Sequence, residues 1–378
     1  MSEVYFASAT SYFPWQNMKI SLERLFDLLE IQKWTPERIR VGVKFETGHE
    51  DCTRYLSPLF VRTMLDEFTR LHKPPIGLDS INLWRGGWRY DPAGWVDKCR
   101  HHGFSMETLG TEIFLTEGYT GQDSKTLMNK SGKKIRVLEI GATITYCQLL
   151  VMLTHVTGHP LLGFYGAISD LALGCTARKG KMRIHEDLLP TVNMEKCNLC
   201  GLCERMCEWD AIKVAETVVI DPKKCVGCGK CIVKCPQAAI EVTSNQIRDF
   251  QIKVADAASF IVQAMDGNIA YFNFLLNCTP RPDYDPNSGI PFIPDIGILV
   301  SKDPVAIDKA TLDLVNRVPG VRGSVAEQFN VLDNNTEKFK AISIAGAADP
   351  MVQITSAEEL GLGTTNYELI DAWELENE

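Results

Sequence analysis

The stretches EKCNLCGLCERMCEWDAI (Glu195–Ile212) and KKCVGCGKCIVKCPQAAI (Lys223–Ile240) are near copies of each other, offset by 28 residues. Each copy contains four cysteines with the spacing Cys-x2-Cys-x2-Cys-x3-Cys. The fourth cysteine is followed by Glu208 in the first copy and by Pro236 in the second. The chain has 13 cysteines and no recognisable secretion signal, so we expect metal ligation by thiolates rather than a disulfide framework.

This spacing is similar to that of bacterial ferredoxins with two [4Fe–4S] clusters, in which the fourth cysteine of each run ligates the other cluster. We therefore predict two crossed ligand sets: Cys197, Cys200, Cys203 and Cys235 for cluster one, and Cys225, Cys228, Cys231 and Cys207 for cluster two. Gly201, Gly227 and Gly229 would let backbone amides approach the sulfurs. Paired CxxC motifs also hold zinc, but two tandem copies of the 2-2-3 spacing favour clusters.

Glu208 replaces the proline that gives the second run a rigid exit, but it removes no ligand. The simpler interpretation, which we favour, is a tolerated variation. The alternative is that its negative charge lowers the reduction potential of cluster two. Lys223 and Lys224, close in sequence to Cys225, would oppose that charge.

Length and composition indicate a globular protein: 378 residues, 45% hydrophobic and 23% charged, enough for two or three domains. The net charge of -9 and pI of about 5.4 disfavour a nucleic-acid partner, which needs a basic face. The most apolar segment, Ile144–Leu153, is too short to span a bilayer and is predicted as a buried strand. We expect a soluble, cytoplasmic protein without a membrane role.

Outside the cysteine runs, short apolar segments alternate with helical patterns, which predicts an α/β body with a mainly parallel sheet. The predicted strands are Arg40–Phe45, Leu78–Trp84, Ile135–Ile140, Ile144–Leu153, Ile269–Leu276, Asp295–Ser301 and Ala341–Ala345. Two predicted helices begin after the capping residues Ser57 and Asp303, and two more cover Pro92–Arg100 and Ile247–Met265. The body would comprise residues 1–189 and 244–378, interrupted by a small α+β insert at 190–243; whether the flanks form one domain or two stays open.

Several stretches together resemble one family: RVGVKFETG (Arg40–Gly48), the segment His155–His185, both cysteine runs and Pro294–Val315. They are similar to the DUF362 family of iron–sulfur proteins. The resemblance implies an α/β body with an inserted two-cluster ferredoxin, found mostly in anaerobes and acting in redox chemistry.

The chain departs from that family's pattern in three places. Thr157 stands where the family has a lysine, Ser169-Asp170 replaces Lys-Asn, and a Cys-Asp-Cys group reads Pro282-Asp283-Tyr284. The missing lysines and cysteines put a family-wide ligand site in doubt, and we assign no third metal site.

Three residues are candidates for catalysis. Lys44 ends a predicted strand, where α/β sheets place their ligands. His155 and His159 flank Gly158 after another strand and provide titratable groups. A solvated lysine and structural histidines are the alternatives.

A second set is predicted to bind a cofactor: Gly163, Gly166, Arg178, Lys179 and His185. The glycines, with Gly174, could bring amides to the phosphate of a flavin, although helix packing is the interpretation we favour. The basic run 178–185 would be either a solvated linker or a clamp on an anionic substrate or cofactor. Asp303 is predicted as a helix cap, and Asp308 could be exposed.

These features favour an oxidoreductase, or a component of one, whose clusters pass single electrons between a redox partner protein and a site in the α/β body. The alternative is an electron-carrier or adaptor subunit without substrate chemistry. A non-redox protein with structural clusters is disfavoured. The sequence is compatible with an oligomer but does not specify one.

Overall fold

The computed structural model describes residues 1–10, 13–37, 39–49, 51–84 and 90–374. Its strands are β1 (Ser2–Ser8), β2 (Val41–Lys44), β3 (Pro75–Asp79), β4 (Ile113–Leu115), β5 (Ser124–Met128), β6 (Val137–Gly141), β7 (Leu149–His155), β8 (Thr157–His159), β9 (Gly163–Tyr165), β10 (Thr191–Val192), β11 (Ile212–Val214), β12 (Val218–Ile220), β13 (Ile240–Glu241), β14 (Ile269–Leu275), β15 (Gly297–Ser301) and β16 (Tyr367–Asp371).

The α-helices are α1 (Met18–Leu28), α2 (Ile31–Trp34), α3 (Pro58–Arg70), α4 (Pro92–His101), α5 (Met106–Leu109), α6 (Ala167–Cys175), α7 (Arg178–His185), α8 (Leu202–Met206), α9 (Lys230–Lys234), α10 (Ser244–Ala264), α11 (Pro304–Arg317), α12 (Val325–Gln328), α13 (Lys338–Ala341) and α14 (Met351–Glu359). Short 3-10 turns cover Pro14–Gln16, Ala142–Tyr146 and Ile344–Gly346. No helix in the described part of the chain combines the length and apolar character that crossing a membrane requires.

One eight-stranded sheet organises the body, in the order β16-β1-β15-β14-β7-β2-β3-β4. Strand β15 runs antiparallel to both of its neighbours, β1 and β14, and every other neighbouring pair is parallel. The predicted α/β class with a mainly parallel sheet is confirmed.

The central strands β2, β7, β14 and β15 are buried along their whole length because helices cover both faces of the sheet. In β7, Leu150 and Met152 belong to one hydrophobic cluster, whereas Leu149 and Val151 belong to the other. Successive side chains of a strand point to opposite faces, so these two clusters are the two cores. Helices α6, α10, α11 and α14 pack on one face, and α1 and α3 on the other.

Capping side chains fix where the long helices begin. The Asp303 carboxylate accepts hydrogen bonds from the amides of Val305 (2.8 Å) and Ala306 (2.9 Å), which confirms the predicted cap of α11. The predicted helices Pro92–Arg100 and Ile247–Met265 correspond to α4 and α10 within a few residues.

Two predicted strands are wrong in whole or in part. Ala341–Ala345 is the end of α13 followed by a turn, in which the Ser343 hydroxyl donates to the carbonyl of Lys340 at 2.7 Å. The strand predicted at Leu78–Trp84 instead ends at Asp79, whose carboxylate accepts the amide of Ser80 at 2.7 Å and turns the chain. Residues 80–84 form a loop that reaches the functional site.

The predicted strands at 135–140 and 144–153 survive in altered form. Strand β6 pairs with β5 in a separate two-stranded sheet, outside the main sheet. The segment predicted from Ile144 begins with a 3-10 turn, and β7 starts only at Leu149.

The cysteine runs lie in a module of residues 191–241 that has its own small elements. Strands β10 and β13 pair through Thr191 with Glu241 and Val192 with Ile240, so the chain enters and leaves the module at adjacent points. Strands β11 and β12 form a hairpin, and α8 and α9 follow the two glycine-rich loops. Adjacent entry and exit points are the geometry that an insertion requires.

Candidate functional site

The eight cysteines of the two runs surround two cavities, each of about 450 Å³ including its open mouth. The first cavity is lined by Cys197, Cys200, Cys203 and Cys235, and the second by Cys207, Cys225, Cys228 and Cys231; Cys231 also borders the first. Each predicted ligand set therefore surrounds a cavity of its own. None of the thirteen cysteines, all of which lie within the described residues, forms a disulfide.

The fourth cysteine of the first run lies beside the second run. Burial raises the pKa values of Cys225, Cys228 and Cys231, and the neighbouring Cys207 thiol raises each of them further. In contrast, burial and the neighbours Cys197 and Cys200 raise the pKa of Cys203. This proximity fits the crossed ligation predicted from the spacing.

Backbone amides approach the sulfurs at equivalent positions of the two copies. The amide of Ala211 donates to Cys207 Sγ, and the amide of Ala239 donates to Cys235 Sγ, both at 3.3 Å. Such bonds stabilise a cluster's negative charge. Within the described chain no three His, Cys, Asp or Glu side chains converge on a point that would hold a single metal ion. Four thiols spread around each cavity are a donor set that fits a [4Fe–4S] cluster.

Glu208 forms an ion pair with Lys230, and their side chains are only 18% and 17% exposed. Glu208 also lies close enough to Cys228 to contribute to that thiol's raised pKa, after burial and the neighbouring cysteines. Lys230 therefore opposes the charge of Glu208 directly.

A third cavity, of about 830 Å³ with its open mouth, lies between the body and the cysteine module. We call it the interface cavity. Its body side carries Glu46, Ser80, Asn82, Trp84, His159, Tyr165, Lys181, His185, Tyr284 and Asp285, and its module side carries Cys228, Gly229 and Val233. One predicted ligand of cluster two is thus part of the wall.

Specific contacts hold the module against the body around this cavity. The Trp84 indole donates to the carbonyl of Cys228 at 3.3 Å, and Lys234 forms a 2.7 Å ion pair with the buried Asp285. A side chain at position 227 would meet the carbonyl of His185 at 2.0 Å, so only glycine allows the second cysteine loop to approach α7 this closely.

His159 lies on the cavity wall as a neutral imidazole. Its Nδ1 accepts the amides of Leu161 and Leu162, both at 3.1 Å, so Nε2 carries the proton. That Nε2–H donates to the hydroxyl of Tyr284 at 2.6 Å. Burial, helped by the nearby His185, lowers the pKa of His159 to about 3.

His185 is a neutral base with the opposite tautomer. Its Nδ1–H donates to the Lys181 carbonyl at 2.7 Å, which leaves Nε2 as an acceptor. Burial, together with the charges of Lys181 and Lys253, lowers the pKa of His185 to about 4. The predicted basic run is therefore the helix α7 rather than a linker, and Lys181 and His185, one turn apart, both reach the cavity.

Lys44 lies behind the cavity rather than in its wall. It is fully buried and forms a 3.0 Å ion pair with Asp170. Burial alone would lower the pKa of Lys44, but the carboxylates of Asp170, Glu46 and Asp79 outweigh it and raise the value. The Tyr165 hydroxyl lies 3.0 Å from both Asp170 and Glu46, which links Lys44 to the wall.

His155, also predicted to be catalytic, is placed outside the cavity lining. Its Nδ1 lies 2.8 Å from the Asp283 carboxylate and its Nε2 lies 2.8 Å from the carbonyl of Leu276. Both partners are acceptors, so the imidazole is protonated. Burial lowers the pKa of His155, but Asp283 overcomes this effect and raises it. The contacts describe a structural ion pair.

The predicted phosphate-binding glycines also lie elsewhere. Gly166 precedes α6, but the amides of Ala167 and Ile168 donate to the carboxylate of Asp308 at 2.7 and 2.9 Å. Asp308 is completely buried and thus caps α6 from α11; burial raises its pKa to about 6. A side chain at Gly163 would meet Pro350 at 2.7 Å. The helix-packing alternative fits these contacts.

Two further cofactor candidates, Arg178 and Lys179, do not line the interface cavity. The Arg178 guanidinium stacks 3.8 Å above the ring of Tyr90, and Lys179 is exposed. Of the eight residues predicted outside the cysteine runs, His159 and His185 are the ones that the structure brings to the wall.

Sequence reasoning missed Glu46, Asn82, Trp84, Tyr165 and Tyr284. Lys44 was selected because α/β sheets place ligands at the carboxyl ends of parallel strands. The same rule would have selected the residues after β3 if the sequence analysis had ended that strand at Asp79. Tyr284, one of the family departures, could not have been connected to His159 from sequence alone.

Comparison with known proteins gives one family match. A family model described as a domain of unknown function (DUF362) matches residues 41–313. Among solved structures, the lactate racemase apoprotein from Thermoanaerobacterium thermosaccharolyticum is similar at 10% sequence identity and a TM-score of 0.35, covering 73% of this chain and 51% of that one. This chain thus spans about half the length of that structure. The search of curated proteins found no match.

Proposed function

We propose a redox function for this chain, which belongs to the DUF362 family: two [4Fe–4S] clusters pass single electrons between a partner protein and the interface cavity. The observation that carries the proposal is the position of Cys228, which lines both the cavity of the second cysteine set and the interface cavity. A cluster held there would lie next to any molecule bound between body and module.

A gradient of exposure gives the electron path a direction. Cys200, in the first ligand set, is exposed at the surface, and the adjacent Leu199 presents an apolar side chain to solvent. The second set lies deeper, against α7 and Trp84. We therefore assign cluster one to exchange with the external carrier and cluster two to exchange with the cavity.

Clusters bound at these sites would supply electrons one at a time, and reduction of a bound molecule also needs protons. His185 Nε2 on the wall can accept and return a proton. The Tyr284 hydroxyl accepts a hydrogen bond from His159. The hydroxyl proton of Tyr284 therefore points away from the His159 ring. Tyr165, Asp170 and Lys44 form a buried chain that holds charge and protons behind the wall.

Anaerobic purification with metal and sulfide analysis tests the clusters. Two clusters predict about eight iron and eight sulfide per chain, and EPR signals from two interacting spins on full reduction. Zinc without sulfide would overturn the cluster assignment.

A cavity-filling variant tests the electron path. In Val233→Trp the indole would occupy the interface cavity, and we expect the reduced protein to transfer electrons to the neutral quinone duroquinone more slowly than wild type. Val96→Trp, at an exposed position of α4 that lines none of the three cavities, is the matched control. Equal rates in both variants would favour the alternative, a carrier subunit without a substrate site.

A further inference from the structure

Asn82 has a buried side-chain amide without a hydrogen-bond partner. Both its Oδ1 and its Nδ2 lack a partner among the described residues, and Asn82 lines the interface cavity. Buried polar atoms in native proteins are nearly always paired with protein or ordered water. A donor and an acceptor left unpaired side by side, in a residue that lines a cavity, therefore indicate where a ligand with the complementary pair binds.

The loop that carries Asn82 is fixed on both sides of this residue. The carbonyl of Ile81 accepts from Lys181, and the amide of Ile81 donates to Glu117 at 3.4 Å. Two residues further on, Trp84 is bound to the carbonyl of Cys228. The backbone around Asn82 is consequently held in place, so that ligand binding has to order only the Asn82 side chain.

The charges of the wall do not suit an anion. Lys181 is the only lysine or arginine among the described lining residues, and its ammonium group contacts Ser80, Ile81 and Glu117. The wall also carries the carboxylates of Glu46 and Asp285. An uncharged ligand is therefore favoured over the anionic substrate or cofactor that the basic run had predicted.

The remaining wall suits a flat, apolar molecule. The rings of Trp84 and Tyr284 lie nearly perpendicular, at 87°, with their centroids 5.7 Å apart. Leu161, Leu173 and Val233 complete the apolar lining. Sites for conjugated rings commonly combine apolar and aromatic side chains with polar groups that fix the orientation of the ring.

We infer that the interface cavity binds an uncharged, planar, conjugated ring with a lactam edge, in which a carbonyl and an N–H stand side by side. Asn82 Nδ2 donates to the ring carbonyl, and the ring N–H donates to Asn82 Oδ1. The role of this ring as electron acceptor rests on the proposed function, but its binding does not.

Lumiflavin, an uncharged isoalloxazine with such an edge, is the probe, and 3-methyllumiflavin lacks the N–H. Binding is measured by fluorescence titration of the oxidised full-length protein. We expect wild type to bind lumiflavin about tenfold more tightly than the methylated ring, and Asn82→Leu to lose that preference. Asn82→Asp, which keeps the size but lacks the amide donor, should also bind lumiflavin more weakly. The exposed Asn245→Leu is the control and should match wild type.

Riboflavin and riboflavin 5′-phosphate test the charge argument, and the phosphate should bring no gain in affinity. No binding of lumiflavin, equal affinity for both lumiflavins in wild type, or an unchanged preference in Asn82→Leu would each overturn the inference. Iron and sulfide content, measured on the same samples, separates the two proposals. If clusters are present but the lactam edge is not recognised, only the binding-site proposal fails. If the lactam edge is recognised but no clusters are present, only the electron-transfer proposal fails.

Discussion

The Trp84 indole nitrogen donates a 3.3 Å hydrogen bond to the backbone carbonyl of Cys228, and this bond joins the α/β body to the second cysteine run at the cavity wall. The Lys230 ammonium group lies 5.6 Å from the centre of the same indole ring. Trp84 therefore contacts the loop that carries one predicted ligand of cluster two. This contact and the ion pair of Lys234 with Asp285 hold the second cysteine run at the cavity.

Trp84→Phe should weaken this contact while keeping an aromatic ring at position 84. Loss of one hydrogen bond costs about 1 kcal/mol, and we expect faster amide hydrogen exchange in residues 225–231. Trp15→Phe, at a tryptophan that is 58% exposed, is the control and should leave exchange there unchanged. Wild-type exchange in Trp84→Phe would mean that the indole bond does not contribute to docking.

The Glu208–Lys230 pair should tune cluster two. Glu208→Gln removes a negative charge near Cys228 and should raise the potential by about 10 to 40 mV, the equivalent of a partly exposed charge interaction. Lys230→Gln should lower it, and the double variant should lie near wild type. EPR-monitored redox titration measures these shifts, with the exposed Glu216→Gln as control. A shift confined to cluster one would contradict the assignment.

The cysteine spacing predicted which thiols share a cavity. The two x2 gaps keep three thiols of a run together, and the x3 gap carries the fourth to the cavity of the other run. Apolar runs such as β7 and β14 were equally readable, since a strand covered on both faces has no polar side. The interface cavity could not be predicted from the sequence. It is formed by loops far apart in sequence, and its decisive contacts, such as Trp84 with Cys228, join residues 144 positions apart.

Residue type alone also gave wrong predictions of function at positions where a hydrogen-bond or ion-pair partner determines what the side chain does. His155 and His159 look equivalent in sequence, yet Asp283 holds one as a buried cation, whereas two backbone amides hold the other as a neutral donor. Gly166 suggested a phosphate site, but the amides of Ala167 and Ile168 that follow it donate to Asp308, which is 142 residues away from Gly166. Such assignments require the fold.

The crossed ligand sets predict which substitutions act alike. Cys207→Ser should change the EPR signal and potential of the same cluster as Cys228→Ser, because both thiols face the second cavity. Cys235→Ser should match Cys200→Ser instead. Cys99→Ser, far from both runs in sequence, is the control for loss of a thiol. If Cys207→Ser behaved like Cys200→Ser, each run would bind its own cluster.

The buried ion pair of Lys44 and Asp170 predicts a stability effect. Lys44→Met leaves the Asp170 carboxylate buried without its cation, which should cost about 3–5 kcal/mol of unfolding free energy; adding Asp170→Asn should recover part of this. The folded pKa of Lys44 is raised, so its stabilisation is fully present below the unfolded value of about 10.4 and is lost only as pH rises through the higher folded value. Wild type should therefore keep this stabilisation from pH 6 to 9. In Lys44→Met the deficit, measured by thermal unfolding, should grow as pH rises until Asp170 is ionised, because burial already raises the pKa of that carboxyl. Lys33→Met, at an exposed lysine, is the control.

His159 predicts a loss of stability in acid. Its folded pKa of about 3 lies below the unfolded value of about 6.5, so the unfolded chain binds more protons and stability falls as pH falls from about 6.5 towards 3. The expected slope is up to about 1.4 kcal/mol per pH unit. In His159→Gln, an amide can accept from Leu161 and donate to Tyr284 without titrating, so the decrease in melting temperature from pH 7 to 5 should be smaller than in wild type. Cluster loss in acid is common to both proteins and cancels in the difference. An equal decrease in both would show that His159 is not buried as a neutral ring.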